Sequence, residues 1–153
     1  MKTLVLMRHA TAEKSANDRE RGLTNAGRDE AAQIAEKLVK EGFKPDVILI
    51  GDARRVRETA LIVGDVMGIL DRVKTVNELY EGGLRDYIKA VDSIAAACET
   101  ALVVGHNPSI SDAAALLCDG FTDHFSNAAA LGVEFSGAIG EGAGKRLFFL
   151  TTK

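Results

Sequence analysis

Two histidines of the chain stand just after short apolar segments that read as buried strands. Residues 3–7 form the first such segment and are followed directly by Arg8 and His9. Residues 101–104 form the second, and His106 follows after a single glycine. Ligands of open α/β sheets bind at the carboxyl ends of the strands. The pattern therefore predicts two imidazoles and a guanidinium at one edge of a sheet.

A third apolar segment, residues 46–50, leads into an arginine cluster. Arg54, Arg55 and Arg57 fall in the first turn of a predicted helix, where each exposed cation opposes the helix dipole by roughly 0.3–1 kcal/mol. Glu58 is an available partner for Arg54 or Arg57, so these two are also consistent with a solvated surface. A bound anion better explains at least one of the three, because it would also meet the helix amides. If the three strands are parallel neighbours, they form a pocket for a phosphoryl group.

Two histidines are also typical of a metal site. Such a site needs a third ligand, and the arginines beside His9 and His106 would repel a cation. We therefore expect no metal and no other cofactor. The third histidine, His124, lies in a predicted loop and is expected at the surface.

The composition is typical of a globular protein, with 46% hydrophobic and 27% charged residues. With 153 residues, we expect a single domain over residues 1–153. Neither the net charge of −3 nor any Lys/Arg-rich block indicates binding to nucleic acid or to a membrane. No apolar stretch approaches the roughly 20 residues of a membrane span, and no signal peptide precedes the first strand. Cys98 and Cys118 are isolated in helical contexts and are expected to be buried, reduced thiols, so a cytoplasmic location is the default expectation.

Predicted strands and helices alternate along the chain. The first helix begins after Thr24 as N-cap and ends at Gly42. Further helices are predicted over residues 54–67 and 86–98, and from Asn107-Pro108, as N-cap and first helical position, to about Cys118; a short strand is predicted over residues 73–76, and a closing pair over 132–135 and 146–151. Alternation implies a largely parallel sheet covered on both faces. The predicted fold class is α/β, a three-layer sandwich whose mostly parallel central sheet has helices on both faces and one antiparallel edge strand.

Four motifs, in order along nearly the whole chain, resemble those of the histidine phosphatase superfamily, the phosphoglycerate-mutase-like enzymes. They are Leu6-Met7-Arg8-His9-Ala10; residues 18–21 with Leu23-Thr24 and Gly27; Arg55, Glu58 and Thr59; and Val104-Gly105-His106-Asn107-Pro108. The first resembles the Arg-His-Gly signature of the superfamily, and the second is similar to its short SixA-type phosphohistidine phosphatase branch. Each motif alone is modestly specific, whereas four in the family's order are strongly so.

The resemblance implies a role for each of four residues in a metal-independent phosphatase. His9 would be the nucleophile that takes the phosphoryl group onto a ring nitrogen, while its other nitrogen donates to a backbone carbonyl. Histidine suits this role because its reference pKa of about 6.5 leaves a neutral fraction at neutral pH. Arg8, Arg55 and His106 would hold the phosphoryl oxygens and stabilise their charge. Water would then hydrolyse the phosphohistidine enzyme intermediate.

The general acid stays open among several carboxylates. Larger relatives use one, and the candidates here are Asp18, Glu13, Glu78 and Glu81. An imidazole leaving group needs less help than an alkoxide, because its conjugate acid is far more acidic than an alcohol. A missing or poorly placed acid therefore favours N–P substrates over sugar phosphates. The segments between the motifs are too short for a lid domain, so an open pocket could admit a histidine presented on another protein.

A phosphohistidine phosphatase acting on a phosphorylated protein ranks first among the functions considered. A phosphomonoesterase of the same superfamily, acting on a small phosphorylated substrate, ranks second. A non-catalytic phosphate-binding module is the third alternative, because Gly51-Asp52 stand where the family often has Ser-Pro or Ser-Thr, which replaces a hydroxyl by a carboxylate. Gly22 also stands in place of the usual proline. A receiver-type signalling domain is disfavoured, since no acidic cluster follows the first strand.

Overall fold

Strands and helices alternate over the residues that the computed structural model describes, 2–80, 82–95 and 98–152, with the backbone alone described at 94 and 95. The strands are β1 (Lys2–Arg8), β2 (Val47–Ile50), β3 (Val73–Thr75), β4 (Thr100–Gly105), β5 (Ala130–Phe135) and β6 (Lys145–Leu150). The α-helices are α1 (Asn25–Lys40), α2 (Arg54–Met67), α3 (Leu84–Ala95) and α4 (Ser109–Leu117). Short 3-10 turns cover Asp18–Glu20, Leu70–Arg72 and Asn77–Leu79.

The strands form one mixed sheet in the order β3-β2-β4-β1-β5-β6. Strands β1 to β4 are parallel, whereas β5 runs antiparallel to its neighbours β1 and β6. The predicted mostly parallel sheet with antiparallel pairing toward one edge is therefore confirmed.

Helices cover both faces of the sheet, as predicted for a three-layer α/β fold. On one face, Ile34 and Leu38 of α1 join Val63 of α2 in a buried apolar cluster. On the other, Val91 of α3 and Ile110 of α4 belong to a second cluster. Such double coverage explains why the central strands read as continuous apolar runs. None of the helices in the described part of the chain is long and apolar enough to cross a membrane.

The two helices that flank the first two parallel strands begin and end close to their predicted positions. The Thr24 side chain caps α1, since its Oγ1 accepts from the Gly27 amide at 2.9 Å, which satisfies one free donor of the first turn. Helix α2 ends where Gly68 adopts a positive φ of 71°, a backbone conformation that favours glycine. Of these two local signals, the Thr24 cap is the one from which the start of α1 was predicted.

The predicted boundaries of several elements need correction. Helix α3 begins at Leu84 and ends at Ala95, and β3 ends at Thr75; residues 96 and 97 of the predicted helix lie outside the described residues. Asn107 and Pro108 precede α4 instead of forming its N-cap and first helical position, and the peptide between them is cis. The Asn107 side-chain oxygen accepts from Ser111 Oγ at 2.6 Å, and no backbone amide of the described residues donates to it.

Both cysteines are free thiols, but only one is buried as predicted. Cys118 is fully buried directly after α4, whereas Cys98 is half-buried between α3 and β4. Cys98 lies in the segment that joins α3 to β4, and its side chain is therefore partly exposed. The prediction that placed it in a helix and buried it was wrong.

The carboxyl ends of β1, β2 and β4 lie side by side. Arg8 pairs with Gly105, and Ile50 pairs with Val104. The His9 amide then donates to the Gly105 oxygen at 2.9 Å, which extends the register one residue beyond the strand. The residues that follow these three strands consequently meet at one edge of the sheet.

Candidate active site

His9 is buried at this edge of the sheet, and one of its ring nitrogens forms a hydrogen bond within the fold. Its side chain is 8% exposed, and Nδ1 donates to the Ala10 carbonyl oxygen at 2.7 Å. A carbonyl can only accept, so the proton of the neutral ring is on Nδ1 and the lone pair is on Nε2. Burial lowers the pKa of His9 to about 4, against the opposing effect of the Ala10 bond, and the charges of Arg55, Arg8 and Arg21 lower it further. The imidazole is therefore neutral, with Nε2 available as a nucleophile.

Arg8 supplies positive charge next to His9. Its Nη1 donates to the Phe125 oxygen at 3.0 Å, while its buried Nε has no hydrogen-bond partner among the described residues. No carboxylate of the described residues forms an ion pair with it. Burial lowers the pKa of Arg8 below its usual value, as expected for a desolvated cation that no acid balances. Such a cation is suited to receive an anion.

Arg55 is the arginine of the cluster that the fold brings to the pocket. It is 7% exposed, and its Nη1 donates to the backbone oxygen of Asp18 at 2.9 Å. Nη1 and Nη2 both lie 3.4 Å from the Asp18 Oδ2. Its Nε is buried and has no partner among the described residues. Arg55 is thus held in place largely by a backbone oxygen, which carries no net charge.

The two neighbouring arginines lie on the outside of α2. The Arg54 side chain is 45% exposed and pairs with Glu58 at 3.4 Å. The Arg57 side chain is 43% exposed and pairs with Asp52 at the same distance. Successive positions on a helix differ by about 100°. Arg54 and Arg57 therefore lie within about 60° of each other, whereas Arg55 is about 100° away from Arg54.

Thr59 of α2 forms a hydrogen bond with Ala10, which follows His9 after β1. Its buried Oγ1 donates to the Arg55 carbonyl oxygen at 2.7 Å and accepts from the Ala10 amide at 3.1 Å. Since Ala10 also accepts from the His9 ring, a short chain of hydrogen bonds runs from His9 to the turn that carries Arg55. Their relative position is therefore fixed by the fold.

His106 stands at the end of β4 against a buried tyrosine of α3. The Tyr87 hydroxyl lies 2.9 Å from His106 Nδ1 and accepts from the His106 amide at 3.2 Å. The two rings meet edge to face with centroids 5.8 Å apart. Burial lowers the pKa of His106, the charge of Arg55 lowers it further, and the charge of Asp18 opposes the shift. Both histidines are thus neutral in the same cationic environment.

Asp18 is the candidate general acid that the structure brings nearest to this machinery. The Tyr80 hydroxyl donates to its Oδ2 at 2.7 Å. This bond lowers the pKa of Asp18 most, and Arg55 and Arg21 lower it further. Its side chain is 55% exposed. Asp18 is consequently ionised at neutral pH and a poor proton donor.

Two of the other carboxylate candidates have no comparable side-chain contact among the described residues. Glu13 and Glu78 are exposed, and Glu78 borders a groove of about 380 Å³ that Arg19 and Tyr80 also line. Glu81 lies outside the described residues. His124 is exposed, as predicted.

A model of the histidine phosphatase superfamily (branch 1) matches residues 4–89, a range that includes His9 and Arg55. The chain belongs to this superfamily. The predicted family is thereby confirmed.

Solved structures of this superfamily share the fold over nearly the whole chain. The protein histidine phosphatase SixA, complexed with tungstate, superimposes with a TM-score of 0.86 at 24% identity, covering 97% of this chain and 96% of that one. A protein assigned as the phosphohistidine phosphatase SixA of Nakamurella multipartitia gives a TM-score of 0.82 at 27% identity, covering 99% of this chain and 97% of that one. The predicted SixA-type resemblance is confirmed.

An uncharacterized chloroplast protein of Arabidopsis thaliana is 29% identical over 126 residues, which are 74% of this chain. The alignment spans 58% of the length of that plant protein.

Gly51 and Asp52 form one of the two places, with Gly22, where this chain departs from the family pattern. A Cβ on Gly51 would lie 2.8 Å from the Tyr80 amide nitrogen, so the close approach of that backbone requires glycine. The Asp52 carboxylate is paired with Arg57 at 3.4 Å and with Arg19 at 3.5 Å. Exposed arginines therefore compensate the negative charge of Asp52, which weakens its repulsion of an anion bound near His9.

Sequence reasoning missed the two tyrosines of this site. Tyr87 falls among apolar residues of its helix, where a buried aromatic ring is most simply explained by packing. Tyr80 lies between the candidate acids Glu78 and Glu81 in the sequence, and its residue type alone does not indicate a contact with Asp18. The one available signal was their rarity, because the chain has two tyrosines in all.

The described residues offer no alternative metal site. No group of three or more His, Cys, Asp or Glu side chains among residues 2–80, 82–95 and 98–152 could hold a metal ion. His9 and His106 instead share their surroundings with guanidinium groups.

Proposed function

We propose that this protein is a phosphohistidine phosphatase that works through a phosphorylated His9. The observation that carries the proposal is the state of His9: a buried, neutral imidazole whose Nδ1–H is bound to Ala10 and whose Nε2 lone pair is free. Arg8, a cation without an acidic partner among the described residues, stands beside it. A neutral nucleophile next to an uncompensated cation is suited to attack on a phosphoryl group.

The first step transfers the phosphoryl group to the enzyme. His9 Nε2 forms a bond to phosphorus as the bond between phosphorus and the substrate nitrogen breaks. The nitrogen keeps the bonding electron pair and takes a proton from water, or the ring leaves as neutral imidazole if its other nitrogen already carries a proton. The phosphorylated His9 ring gains positive character, which its Nδ1–H bond to the Ala10 oxygen stabilises. Arg8, Arg55 and His106 would donate to the phosphoryl oxygens.

The second step restores the enzyme. A water molecule attacks phosphorus, the bond to His9 Nε2 breaks, and inorganic phosphate leaves. The ring returns to its neutral form with its proton on Nδ1. No step requires a metal ion or another cofactor, because the arginines and His106 provide the charge stabilisation.

The state of Asp18 supports an N–P substrate. Its carboxylate is kept ionised by Tyr80 and Arg55, so it is poorly prepared to protonate an alkoxide. Imidazole leaves without such help. Asp52 is already paired with Arg19 and Arg57, which removes the main reason to favour a non-catalytic binding module.

A phosphorylated histidine on another protein is the substrate that we propose. The comparison with SixA, named a protein histidine phosphatase, supports this substrate class. The test compares kcat/KM for a phosphohistidine peptide and for a sugar phosphate. We expect the peptide to be turned over much faster, with aryl phosphates also exceeding alkyl phosphates.

Three variants refine this test. Asp18→Asn, Glu78→Gln and Glu81→Gln, made one at a time, test whether any of these carboxylates protonates a leaving alkoxide: a variant that loses alkyl phosphate hydrolysis and keeps phosphohistidine hydrolysis would identify a general acid. A wild-type preference for the sugar phosphate would instead support the metabolite phosphomonoesterase.

A further inference from the structure

We propose that Tyr87 is a positioning residue that holds the neutral His106 ring in the tautomer with its proton on Nε2. In this state His106 presents an N–H donor to the phosphoryl group, whereas His9 presents a lone pair. The donor role of His106 rests on the proposed function, but the tautomer itself follows from hydrogen bonds within the fold.

The inference begins with the hydroxyl of Tyr87, which is fully buried. A tyrosine hydroxyl has one proton to donate and oxygen lone pairs with which to accept. The His106 amide lies 3.2 Å from the oxygen and can only donate to it. In the described part of the chain, the one other hydrogen-bonding atom within reach is His106 Nδ1, at 2.9 Å. The hydroxyl proton therefore points to Nδ1, which must carry a lone pair.

The opposite tautomer would leave a buried group unsatisfied. If Nδ1 carried the proton, both it and the His106 amide would donate to the Tyr87 oxygen. The hydroxyl proton would then have no acceptor among the described residues and, in a fully buried side chain, no access to water. Buried polar groups are rarely left without a partner, so the arrangement with Nε2 protonated is favoured.

Gly105 allows Tyr87 to reach this position. A Cβ on Gly105 would overlap the Tyr87 hydroxyl and its ring edge. The tyrosine therefore crosses the backbone immediately before His106 and contacts both the amide and the ring of that residue. One hydroxyl fixes the histidine at two points.

The hydroxyl keeps its proton throughout the range in which the enzyme would work. Burial raises the pKa of Tyr87 to about 12, although the His106 amide and the charge of Arg55 act in the other direction. The charged groups that act on His106 are Arg55 from α2 and Asp18 from the loop before α1. Of these, Arg55 opposes protonation of the imidazole and Asp18 promotes it.

The two histidines consequently hold opposite tautomers. The Ala10 carbonyl places the proton of His9 on Nδ1, and the Tyr87 hydroxyl places that of His106 on Nε2. Two identical side chains are thereby differentiated into a nucleophile and a donor by the group that each contacts through Nδ1.

Nitrogen-15 NMR of the wild-type protein at neutral pH tests the tautomer directly. Two-bond correlations from the ring carbon protons distinguish a protonated nitrogen from one with a lone pair. We expect His106 to be protonated on Nε2 and His9 on Nδ1, so that His9 is an internal comparison. A His106 ring protonated on Nδ1 would overturn the inference.

The variant Tyr87→Phe tests the cause. Loss of the O–H donor should mix the two tautomers of His106 and raise its pKa, because a donor to Nδ1 stabilises the neutral ring. If the hydroxyl accepted from Nδ1 instead, the same variant would lower that pKa. A lowered or unchanged pKa of His106 contradicts the proposal. Tyr80→Phe removes the other tyrosine hydroxyl and should leave the His106 tautomer as in the wild type.

Kinetics then connects the tautomer to the reaction. In Tyr87→Phe we expect kcat for a phosphohistidine peptide to fall roughly tenfold or more. Removing an oxyanion-hole donor altogether lowers kcat by about 10²–10³, and this variant misorients the donor without removing it. KM should change less than kcat. An unchanged kcat with mixed tautomers would show that Nε2–H is not needed. Phosphorylation of His9 is measured separately, so failure of this inference is distinguishable from failure of the proposed function.

Discussion

The Arg55 guanidinium is joined to Asp18 in two ways, through the backbone oxygen at 2.9 Å and through the carboxylate at 3.4 Å. The first contact orients Arg55 and persists whatever the side chain of residue 18 does. The second pairs its charge with a carboxylate that is 55% exposed. A phosphoryl group that binds Arg55 would therefore share it with an anion already present.

The variant Asp18→Asn should bind inorganic phosphate more tightly than the wild type. Removing the charge relieves repulsion of the incoming anion while the backbone contact to Arg55 remains. We expect a roughly two- to tenfold lower Kd by calorimetry. This range follows from the repulsion energy of about 1 kcal/mol between two like unit charges 4 Å apart in water. Asp71→Asn, an equal charge change at the opposite edge of the sheet, is the control. Weaker binding by Asp18→Asn would mean that the carboxylate orients Arg55.

His9 should become covalently phosphorylated during turnover. Brief incubation with labelled substrate and a denaturing quench should reveal an adduct that is labile in acid and stable in base, and His9→Ala should lack both the adduct and turnover. His124→Ala, which changes an exposed histidine, is the matched control and should retain both. Wild-type turnover by His9→Ala would contradict the assignment of the nucleophile.

Arg55 should matter far more than its neighbours. Because Arg55 is buried at the pocket, Arg55→Ala should lower kcat on the order of 10²–10³, by analogy with oxyanion donors. Arg54→Ala and Arg57→Ala change exposed side chains paired with Glu58 and Asp52 and should cost much less. Steady-state kinetics on a phosphohistidine peptide measures all three. Equal losses at the three positions would indicate a diffuse cationic patch.

Activity should be independent of divalent metal ions. The proposed pocket draws its positive charge from Arg8 and Arg55, so chelation removes nothing that the reaction uses. Turnover before and after dialysis against EDTA should agree. Activity that is lost with EDTA and restored by magnesium or zinc would contradict the mechanism.

His9 should make the folded state less stable in acid. Its pKa is about 4 in the fold and about 6.5 in an unfolded chain, so the unfolded state binds more protons between these values. The free energy of unfolding should therefore fall as the pH decreases from 6.5 toward 4, by about 3 kcal/mol in total from this group. Urea unfolding at pH 7 and pH 4.5, for the wild type and His9→Asn, isolates the contribution. Equal pH dependence in both proteins would show that His9 titrates normally in the fold.

The sequence predicted those features that depend on local signals or on sheet register. Thr24 caps α1 with its own side chain, which is a property of a single residue. His9 and His106 were predicted to converge because parallel strands align their carboxyl ends. The assignment of Asn107 and Pro108 placed the helix start one residue too early: α4 begins at Ser109, and the Asn107 side-chain oxygen accepts from the Ser111 hydroxyl and not from a backbone amide of the first turn.

Contacts between distant segments could not be read in the same way. The bond between Tyr80 and Asp18 joins residues 62 positions apart, and neither residue type indicates the other. Tyr87 is a buried residue of an apolar helix face, so its position in the sequence indicates apolar packing and gives no sign of its polar contact with His106. The requirement for glycine at position 51 arises from the backbone of Tyr80, which reaches it only in the folded chain.

The rarity of aromatic chromophores in this chain gives the pocket an optical signature. With no tryptophan and two tyrosines, the ultraviolet emission of the protein arises chiefly from Tyr80 and Tyr87. Both phenol groups are bonded at the pocket, one to the Asp18 carboxylate and the other to His106. Any anion that disturbs either bond alters the fluorescence of the whole molecule. The unlabelled protein therefore reports its own occupancy, and the Phe variants at the two positions assign the signal to each ring.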